Sequence, residues 1–133
     1  MGIVRIDGEV ADVRFPGRAV RVPSMLVDTG SELTWIPAGL LAKARVRMTK
    51  KDLRFTMANG ETIIRSTGYA ILRAGDFETV DEVVFGQPGD LALLGARTLE
   101  GFGAVIDPRR KRLAAAGPHL AAPGGSGRVS RRR

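Results

Sequence analysis

The sequence predicts a small, barrel-like, all-β domain with two short helices. Apolar and polar residues alternate over several short stretches, and turn-forming Gly, Asn and Pro separate those stretches. A chain of 133 residues, 44% of them hydrophobic, is large enough for one buried core. No apolar run approaches the roughly 20 residues that a membrane span needs.

Two or three strands are predicted before Asp28. Residues 2–15 alternate enough to form one or two strands, and the Pro16-Gly17 pair then turns the chain. The inward-facing candidates are Ile3, Val4, Ile6, Val10, Val13 and Phe15. Residues 19–27 form the next strand, and its continuously apolar end, residues 25–27, is typical of a strand buried on both faces.

The middle of the chain predicts a short strand, a helix and a hairpin. Residues 33–36 are β-prone, and Pro37 suits the first turn of a helix over residues 37–44. Residues 48–57 and 62–73 form two strands. The hairpin tip between them contains Asn59-Gly60, a pair that readily adopts positive φ.

The last part predicts three more strands and a second helix. Gly75-Asp76 turns the chain into a strand over residues 77–85, which residues 87–90 follow as a loop. Residues 96–100 form a short helical turn. The late strands cover residues 104–106 and 112–115.

The C-terminal end differs in composition from the rest. Residues 1–116 are the predicted folded domain, and residues 117–133 are a disordered, basic Gly/Pro/Arg tail. The 14 acidic residues all lie at or before Asp107, whereas 8 of the 21 basic residues lie after Pro108. The tail lacks interleaved aromatics and an apolar helical face, so neither a nucleic-acid partner nor a membrane is expected.

Composition also restricts the available chemistry. The chain has no cysteine, which excludes disulfides, thiolate metal sites and a cysteine nucleophile, and which fits a reducing compartment. The single histidine, His119, lies in the predicted tail, so histidine catalysis and a His-ligated zinc are not expected. The N-terminus lacks the apolar block of a signal peptide, and the expected location is the cytoplasm. Carboxylates would carry any hydrolytic chemistry, with no metal and no cofactor.

One motif places a carboxylate at the exit of an apolar strand. Asp28, Thr29 and Gly30 directly follow Leu26-Val27. Glycine lets the backbone turn tightly and lets a second chain approach closely. A carboxylate at such a site is costly to bury unless it is paired or shared. The tripeptide alone is more typical of an ordinary turn than of a functional site, so its setting is what favours a functional role.

The order of V-D-T-G-S, an A-N-G hairpin, L-L-G-A-R-T-L-E and V-I-D-P resembles that of the bacterial retropepsin-like aspartic peptidases, relatives of the retroviral proteases. The resemblance covers roughly residues 3–115. It implies that Asp28 is the catalytic carboxylate and that Thr29 and Gly30 lock two copies of this loop together. It further implies substrate-backbone contacts from Ser31 and Glu32. The implied flap residues are Met57, Ala58, Asn59, Gly60 and Glu61, and the implied support of the catalytic loop is Leu93, Leu94 and Gly95.

Two positions depart from the retroviral pattern. Ser31 stands where retroviral enzymes usually have Ala, and its hydroxyl could donate a hydrogen bond to Asp28, favour the charged form and lower the working pH. Ala96 stands where those enzymes have Arg, and the nearest arginine is Arg97. An ion pair carried over from the family therefore has no secure basis at this point.

The chemistry predicts a symmetric homodimer. Aspartic peptidases use two carboxylates that share one proton, because two such groups about 3 Å apart cannot both ionise cheaply. The chain holds a single Asp-Thr-Gly and is too short for a second lobe, so a second copy must supply the other aspartate.

The function predicted is that of an aspartic endopeptidase that binds an extended peptide or protein segment between two subunits. Two alternatives remain open at this point. One is a catalytically silent, dimeric peptide-binding or adaptor module with the same fold. The other is a peptidase that acts only on itself or on one dedicated partner.

Overall fold

The computed structural model describes residues 3–118, which contain nine strands and two helices. The strands are β1 Arg5–Ala11, β2 Val20–Val27, β3 Thr34–Pro37, β4 Lys50–Thr56, β5 Thr62–Ala74, β6 Phe77–Gly86, β7 Leu93–Leu94, β8 Ala104–Asp107 and β9 Arg112–Ala115. The helices are α1 Ala38–Lys43 and α2 Ala96–Phe102. His119 and nearly all of the predicted tail, residues 117–133, lie outside the described residues.

Six of the strands form a closed ring. Their order is β1-β2-β7-β3-β6-β5, and β5 pairs back with β1. The pairs β2–β7 and β3–β6 are parallel, and the other pairs of the ring are antiparallel. Strand β4 pairs only with β5 in a hairpin that extends from the ring, and β8 pairs with β9 separately. The predicted all-β, barrel-like class is confirmed, with the architecture of a retropepsin-like fold.

The interior of the ring is apolar. Alternate residues of the strands point inward, and Val10, Val22, Ile36, Val83 and Leu94 are almost fully buried. Both short helices pack on this core, α1 through Leu41 and α2 through Leu99 and Phe102. The Phe102 ring stacks on that of Phe77 in β6, with ring centroids 5.7 Å apart.

The N-terminal segment is where the strand prediction was partly wrong. Val4 and Val10 are buried as expected, but the side chains of Ile3 and Val13 are 65% and 50% exposed. Strand β1 ends at Ala11, and Asp12 then accepts the Arg14 backbone N–H at 2.9 Å. This side-chain hydrogen bond competes with the hydrogen bonds of the strand and starts the loop. The alternating residues beyond Ala11 are therefore not part of a strand.

Candidate active site

Asp28 is the first residue after β2 and begins a loop held by backbone hydrogen bonds. Its N–H donates to the carbonyl oxygen of Leu94 in β7 at 3.0 Å, and its carboxylate accepts the Gly30 N–H at 2.9 Å. The Asp28 side chain is half-buried, whereas Thr29 and Gly30 are exposed. The Gly30 N–H therefore orients one carboxylate oxygen of Asp28, while Thr29 and Gly30 themselves stay accessible.

The Ser31 hydroxyl donates its hydrogen bond to a backbone carbonyl oxygen and not to the Asp28 carboxylate. It donates to the carbonyl oxygen of Leu33 at 2.7 Å, and the Ser31 N–H donates to the carbonyl oxygen of Asp28 at 3.1 Å. The expected donation to Asp28 is wrong for this structure, because the hydroxyl is used to close the loop on itself. The expected lowering of the working pH loses its physical basis.

Strand β7 and the start of α2 support this loop from behind. Leu93 and Leu94 pair in parallel with the last two residues of β2. The Ala96 N–H donates to the Ser31 carbonyl oxygen at 2.8 Å, and the Arg97 N–H donates to the Glu32 carbonyl oxygen at 3.1 Å. A Cβ on Gly95 would lie 2.6 Å from the Leu33 carbonyl carbon, so only glycine allows this approach.

A buried network of hydroxyl groups continues below Gly95. The Gly95 N–H donates to Thr34 Oγ1 at 3.0 Å, and that oxygen lies 2.6 Å from Thr98 Oγ1. Thr98 Oγ1 donates in turn to Asp81 Oδ2 at 3.1 Å. Both threonines are fully buried. None of these three side chains was predicted from the sequence, because nothing in the local pattern connects β3, β6 and α2.

Arg97 completes this network at its outer edge. Its guanidinium lies 3.4 Å from Asp81 and 3.8 Å from Glu82, both on β6. Lys50 lies 3.4 Å from Glu82, and the Thr67 hydroxyl donates to the same carboxylate at 2.7 Å. The arginine of the L-L-G-A-R segment thus pairs with β6, and two basic groups offset the two buried carboxylates.

A cleft lies between the β4–β5 hairpin and the loop of residues 28–33, which is called the catalytic loop here after the role that the family resemblance implies. Its volume is about 320 Å³, and its apolar wall includes Trp35 of β3 and Phe55 of β4. Their rings meet edge to face, with centroids 5.4 Å apart at an interplanar angle of 63°. The lining residues are Asp28, Gly30, Ser31, Glu32, Leu33, Trp35, Phe55, Thr56, Met57, Ala58 and Leu93.

The cleft contains seven of the thirteen residues that the resemblance singled out. They are Asp28, Gly30, Ser31, Glu32, Met57, Ala58 and Leu93. Those absent from its lining are Thr29, Asn59, Gly60, Glu61, Leu94 and Gly95. Leu33, Trp35, Phe55 and Thr56 were not among the predicted site residues. Alternation in β3 and β4 was the available signal, but it does not say which face borders a cleft.

The hairpin tip beyond the cleft is held mainly by its own turn. The Met57 N–H donates to the Glu61 carbonyl oxygen at 2.8 Å, and the Gly60 N–H donates back to the Met57 carbonyl oxygen at 2.9 Å. Gly60 has a φ of 86°, as predicted for the glycine of this turn, whereas Asn59 does not have a positive φ. The Asn59 side chain accepts the Glu61 N–H at 2.9 Å. Every side chain from Met57 to Glu61 is exposed.

A partly buried ion pair ties the return strand of this hairpin to the rest of the domain. The Arg65 guanidinium donates to both oxygens of Asp90, at 2.7 and 2.9 Å. Arg65 lies on β5, and Asp90 lies in the loop before β7. The hydrogen bonds from Arg65 hold the pKa of Asp90 below its usual value despite partial burial, and the Gln87 N–H adds to the effect.

Thr29 lies on a second, apolar groove rather than in the cleft. This groove has a volume of about 300 Å³ and is formed by the catalytic loop, α2 and β8. Its exposed apolar residue is Val105, with 49% of its surface accessible. The lining residues are Thr29, Ala96, Leu99, Glu100, Ala104, Val105 and Ile106.

The described residues hold no cluster of three or more His, Cys, Asp or Glu side chains suited to a metal ion. Within the same residues, 3–118, neither helix is long and apolar enough to cross a membrane.

A ring-shaped β domain with an Asp-Thr-Gly loop beneath a hairpin defines the retropepsin-like class of aspartic peptidase domains. A family model described as "gag-polyprotein putative aspartyl protease" matches residues 11–101. The match includes the catalytic loop, the hairpin and the start of α2. The chain belongs to this family. A search of curated proteins found no match to the chain.

Proposed function

We propose that the protein is an aspartic endopeptidase in which Asp28 residues from two copies form the catalytic pair. The observation that carries this proposal is the position of Asp28. Its backbone is fixed by Leu94, its carboxylate is oriented by the Gly30 N–H, and it faces a cleft covered by a hairpin. An oriented carboxylate beside an apolar cleft suits acid–base catalysis on a bound peptide.

The reaction requires two carboxylates that share one proton. The ionised Asp28 takes a proton from a water molecule, which attacks the carbonyl carbon of the scissile peptide bond. The protonated Asp28 of the other subunit donates a hydrogen bond to the carbonyl oxygen, where negative charge develops. The first Asp28 then gives the proton that it took from water to the nitrogen of the scissile bond, and the C–N bond breaks to release a carboxylic acid and an amine. The pair titrates as a unit, so its two apparent pKa values belong to the dimer rather than to either subunit.

The exposed face next to Asp28 supports the homodimer. Thr29 and Gly30 are both exposed in the single chain, and the apolar groove with Val105 is continuous with Thr29. A two-fold axis beside Asp28 would bury Thr29 and Gly30 and bring the two carboxylates together. Glu32 is the other carboxylate of the cleft lining, and it is exposed rather than oriented by the loop.

The cleft supports an extended peptide as substrate. Leu33, Trp35 and Phe55 provide apolar surface for a substrate side chain, and Met57 and Ala58 line the cleft from the tip of the hairpin. In this proposal the tip residues 59–61 close over the substrate when it binds. Main-chain groups of the flap then pair with the peptide as an added strand would. A cytoplasmic location and the 117–133 tail as a separate basic segment remain parts of the proposal.

The deciding experiment is cleavage of a diverse peptide library between about pH 3 and 7, the range of carboxylate titration. The wild type and Asp28→Asn should be compared at equal concentration, after gel filtration has established their oligomeric states. We expect cleavage by the wild type and a loss of at least about a thousandfold in the variant, because Asn cannot accept the proton from water.

The alternative, a dimeric peptide-binding module without catalysis, predicts a different result. The wild type would then be a folded dimer that leaves every peptide intact at every pH, and Asp28→Asn would bind extended peptides as well as the wild type does. Release of the 117–133 segment from the purified chain, without cleavage of library peptides, would instead indicate a peptidase restricted to itself.

A further inference from the structure

Three arginine side chains converge on one phenylalanine at the end of the barrel formed by the β1–β2 loop. The guanidinium carbons of Arg14, Arg18 and Arg45 lie 5.0, 5.7 and 5.6 Å from the centroid of the Phe15 ring. Arg14 also donates to the carbonyl oxygen of Arg45 at 2.8 Å, which joins the β1–β2 loop to the end of α1. We call Arg14, Arg18, Arg45 and the neighbouring Arg47 the arginine cluster.

Asp12 is the carboxylate that forms an ion pair within this cluster of four positive charges. Asp12 is buried and pairs with Arg14 at 2.6 Å. Burial raises the pKa of Asp12, but the hydrogen bonds from Arg14 and the charges of Arg14 and Arg47 outweigh burial and keep it low. Among the described residues, Arg18, Arg45 and Arg47 form no ion pair. The cluster therefore carries a net charge of about +3 by counting its groups.

These charges are close enough to repel one another. The distance between any two of these guanidinium carbons cannot exceed the sum of their distances to the Phe15 ring centroid. That upper limit is comparable to the Debye length, which is about 10 Å at 0.1 M salt. Contact with the ring stabilises each cation, but it does not remove the repulsion between them. An anion that spans the cluster would remove it.

The cluster is separate from the cleft, since none of its residues is among the lining residues of the cleft. Its members come from two segments, residues 12–18 and 44–47, that are distant in sequence. For that reason a basic excess was evident from the sequence only in the C-terminal tail, and no nucleic-acid partner was expected. The fold brings a second basic surface together in the folded domain.

We propose that the arginine cluster binds the phosphate backbone of single-stranded nucleic acid. The cluster consists of arginines, whose planar guanidinium groups hold phosphate oxygens in pairs and stack against bases. Three of these groups already pack against the Phe15 ring, so less side-chain entropy is lost on binding. Arg18, Arg45 and Arg47 are exposed and can reach successive phosphates.

The test uses the full chain and a fluorescein-labelled oligothymidylate of about 20 nucleotides, longer than a typical single-strand binding site. Binding is followed by anisotropy from about 25 to 200 mM salt. The cluster variant is Arg18→Gln with Arg45→Gln, in which glutamine keeps part of the stem that packs on Phe15. The matched control is Arg21→Gln with Arg73→Gln, which removes the same charge from residues paired with Asp7 and Glu78. All three proteins keep the basic tail, so its contribution is constant.

We expect the cluster variant to bind roughly tenfold more weakly at about 50 mM salt, and the control to change less than about twofold. The slope of log affinity against log salt should fall by roughly 1.4 in the cluster variant, as two lost phosphate contacts on a single strand predict. Melting temperatures should stay close to that of the wild type.

Equal weakening of both variants would overturn the proposal, because bulk charge would then explain the binding. It would also be overturned if poly-glutamate of equal charge competed as well as the oligonucleotide, which would make the cluster a site for acidic peptides. A wild type that shows no salt-dependent binding would overturn it too. Peptide cleavage plays no part in these readouts, so they stand apart from the test of the proposed peptidase.

Discussion

The two walls of the cleft are built on different principles. The lower wall, the catalytic loop, rests on β7 and on a chain of buried hydrogen bonds from Gly95 through Thr34 and Thr98 to Asp81. The upper wall, the tip of the β4–β5 hairpin, is exposed and makes its backbone hydrogen bonds within the turn itself. The contrast indicates that the backbone at Asp28 is held rigidly, whereas the tip of the hairpin is free to adjust.

The energetic reason lies in what each wall would lose by moving. Displacing the catalytic loop would leave a buried N–H and buried hydroxyl groups without partners, each at a cost of about 1–3 kcal/mol. Displacing the hairpin tip would bury or expose little, because Met57 and its neighbours are already exposed to water. A rigid base and an adjustable cover are what acid–base chemistry on a variable substrate needs.

Alanine substitutions at two glycines should separate the walls most strongly. Gly95→Ala places a Cβ against the Leu33 backbone, and we expect a loss of about 3 kcal/mol or more in the free energy of unfolding. Gly60→Ala meets no neighbour and incurs only the cost of positive φ, about 1 kcal/mol. Urea unfolding at a fixed protein concentration measures both. Equal losses would show that the catalytic loop is not more tightly constrained than the flap.

A smaller effect is expected from the buried hydroxyl of Thr98. Thr98→Val keeps the shape but removes the donor to Asp81 and the partner of Thr34, and we expect a loss of about 2 kcal/mol in the free energy of unfolding. Thr98→Ser keeps the hydroxyl and should recover most of that loss, apart from the missing methyl group. If peptide cleavage is established, Thr98→Val should lower kcat more than it raises KM. A serine variant as unstable as the valine variant would assign the effect to packing instead.

The sequence predicted the parts of the structure that depend on local pattern. The apolar run before Asp28, the glycine turn at Gly60 and the strand after Gly75 each follow from residues adjacent in sequence, and the structure has all three. The end of β1 was missed because the Asp12 side chain captures a backbone N–H, which outweighs the alternation beyond it.

The parts that could not be predicted depend on contacts between distant segments. Thr34, Thr98 and Asp81 look like ordinary strand and helix residues until β3, α2 and β6 are placed side by side. The Ser31 hydroxyl is an example of competition: a nearby carbonyl oxygen at Leu33 takes the hydrogen bond that was expected for Asp28. Family resemblance indicated many residues of the cleft, but it could not indicate their hydrogen-bond partners.

The Arg65–Asp90 ion pair offers the smallest and most specific test, because it ties the flap strand β5 to the loop before β7. Arg65 keeps the pKa of Asp90 below its unfolded value of about 3.9, so the pair contributes stability above that pH. That contribution is lost as the pH falls through the lower pKa of the folded state. We expect Asp90→Asn to be about 1–2 kcal/mol less stable than wild type at pH 7, with the difference shrinking as the pH falls below about 4.

The matched control is Glu78→Gln, which breaks the more exposed pair between Glu78 and Arg73 and should change stability by less than about 0.5 kcal/mol. Urea unfolding from about pH 7 down to pH 2 gives both curves. A difference for Asp90→Asn that stays constant over this range would mean that lost packing or hydrogen bonding of the neutral side chain, rather than the charge on Asp90, explains the effect. In that case the attachment of β5 to the loop before β7 would not weaken in acid.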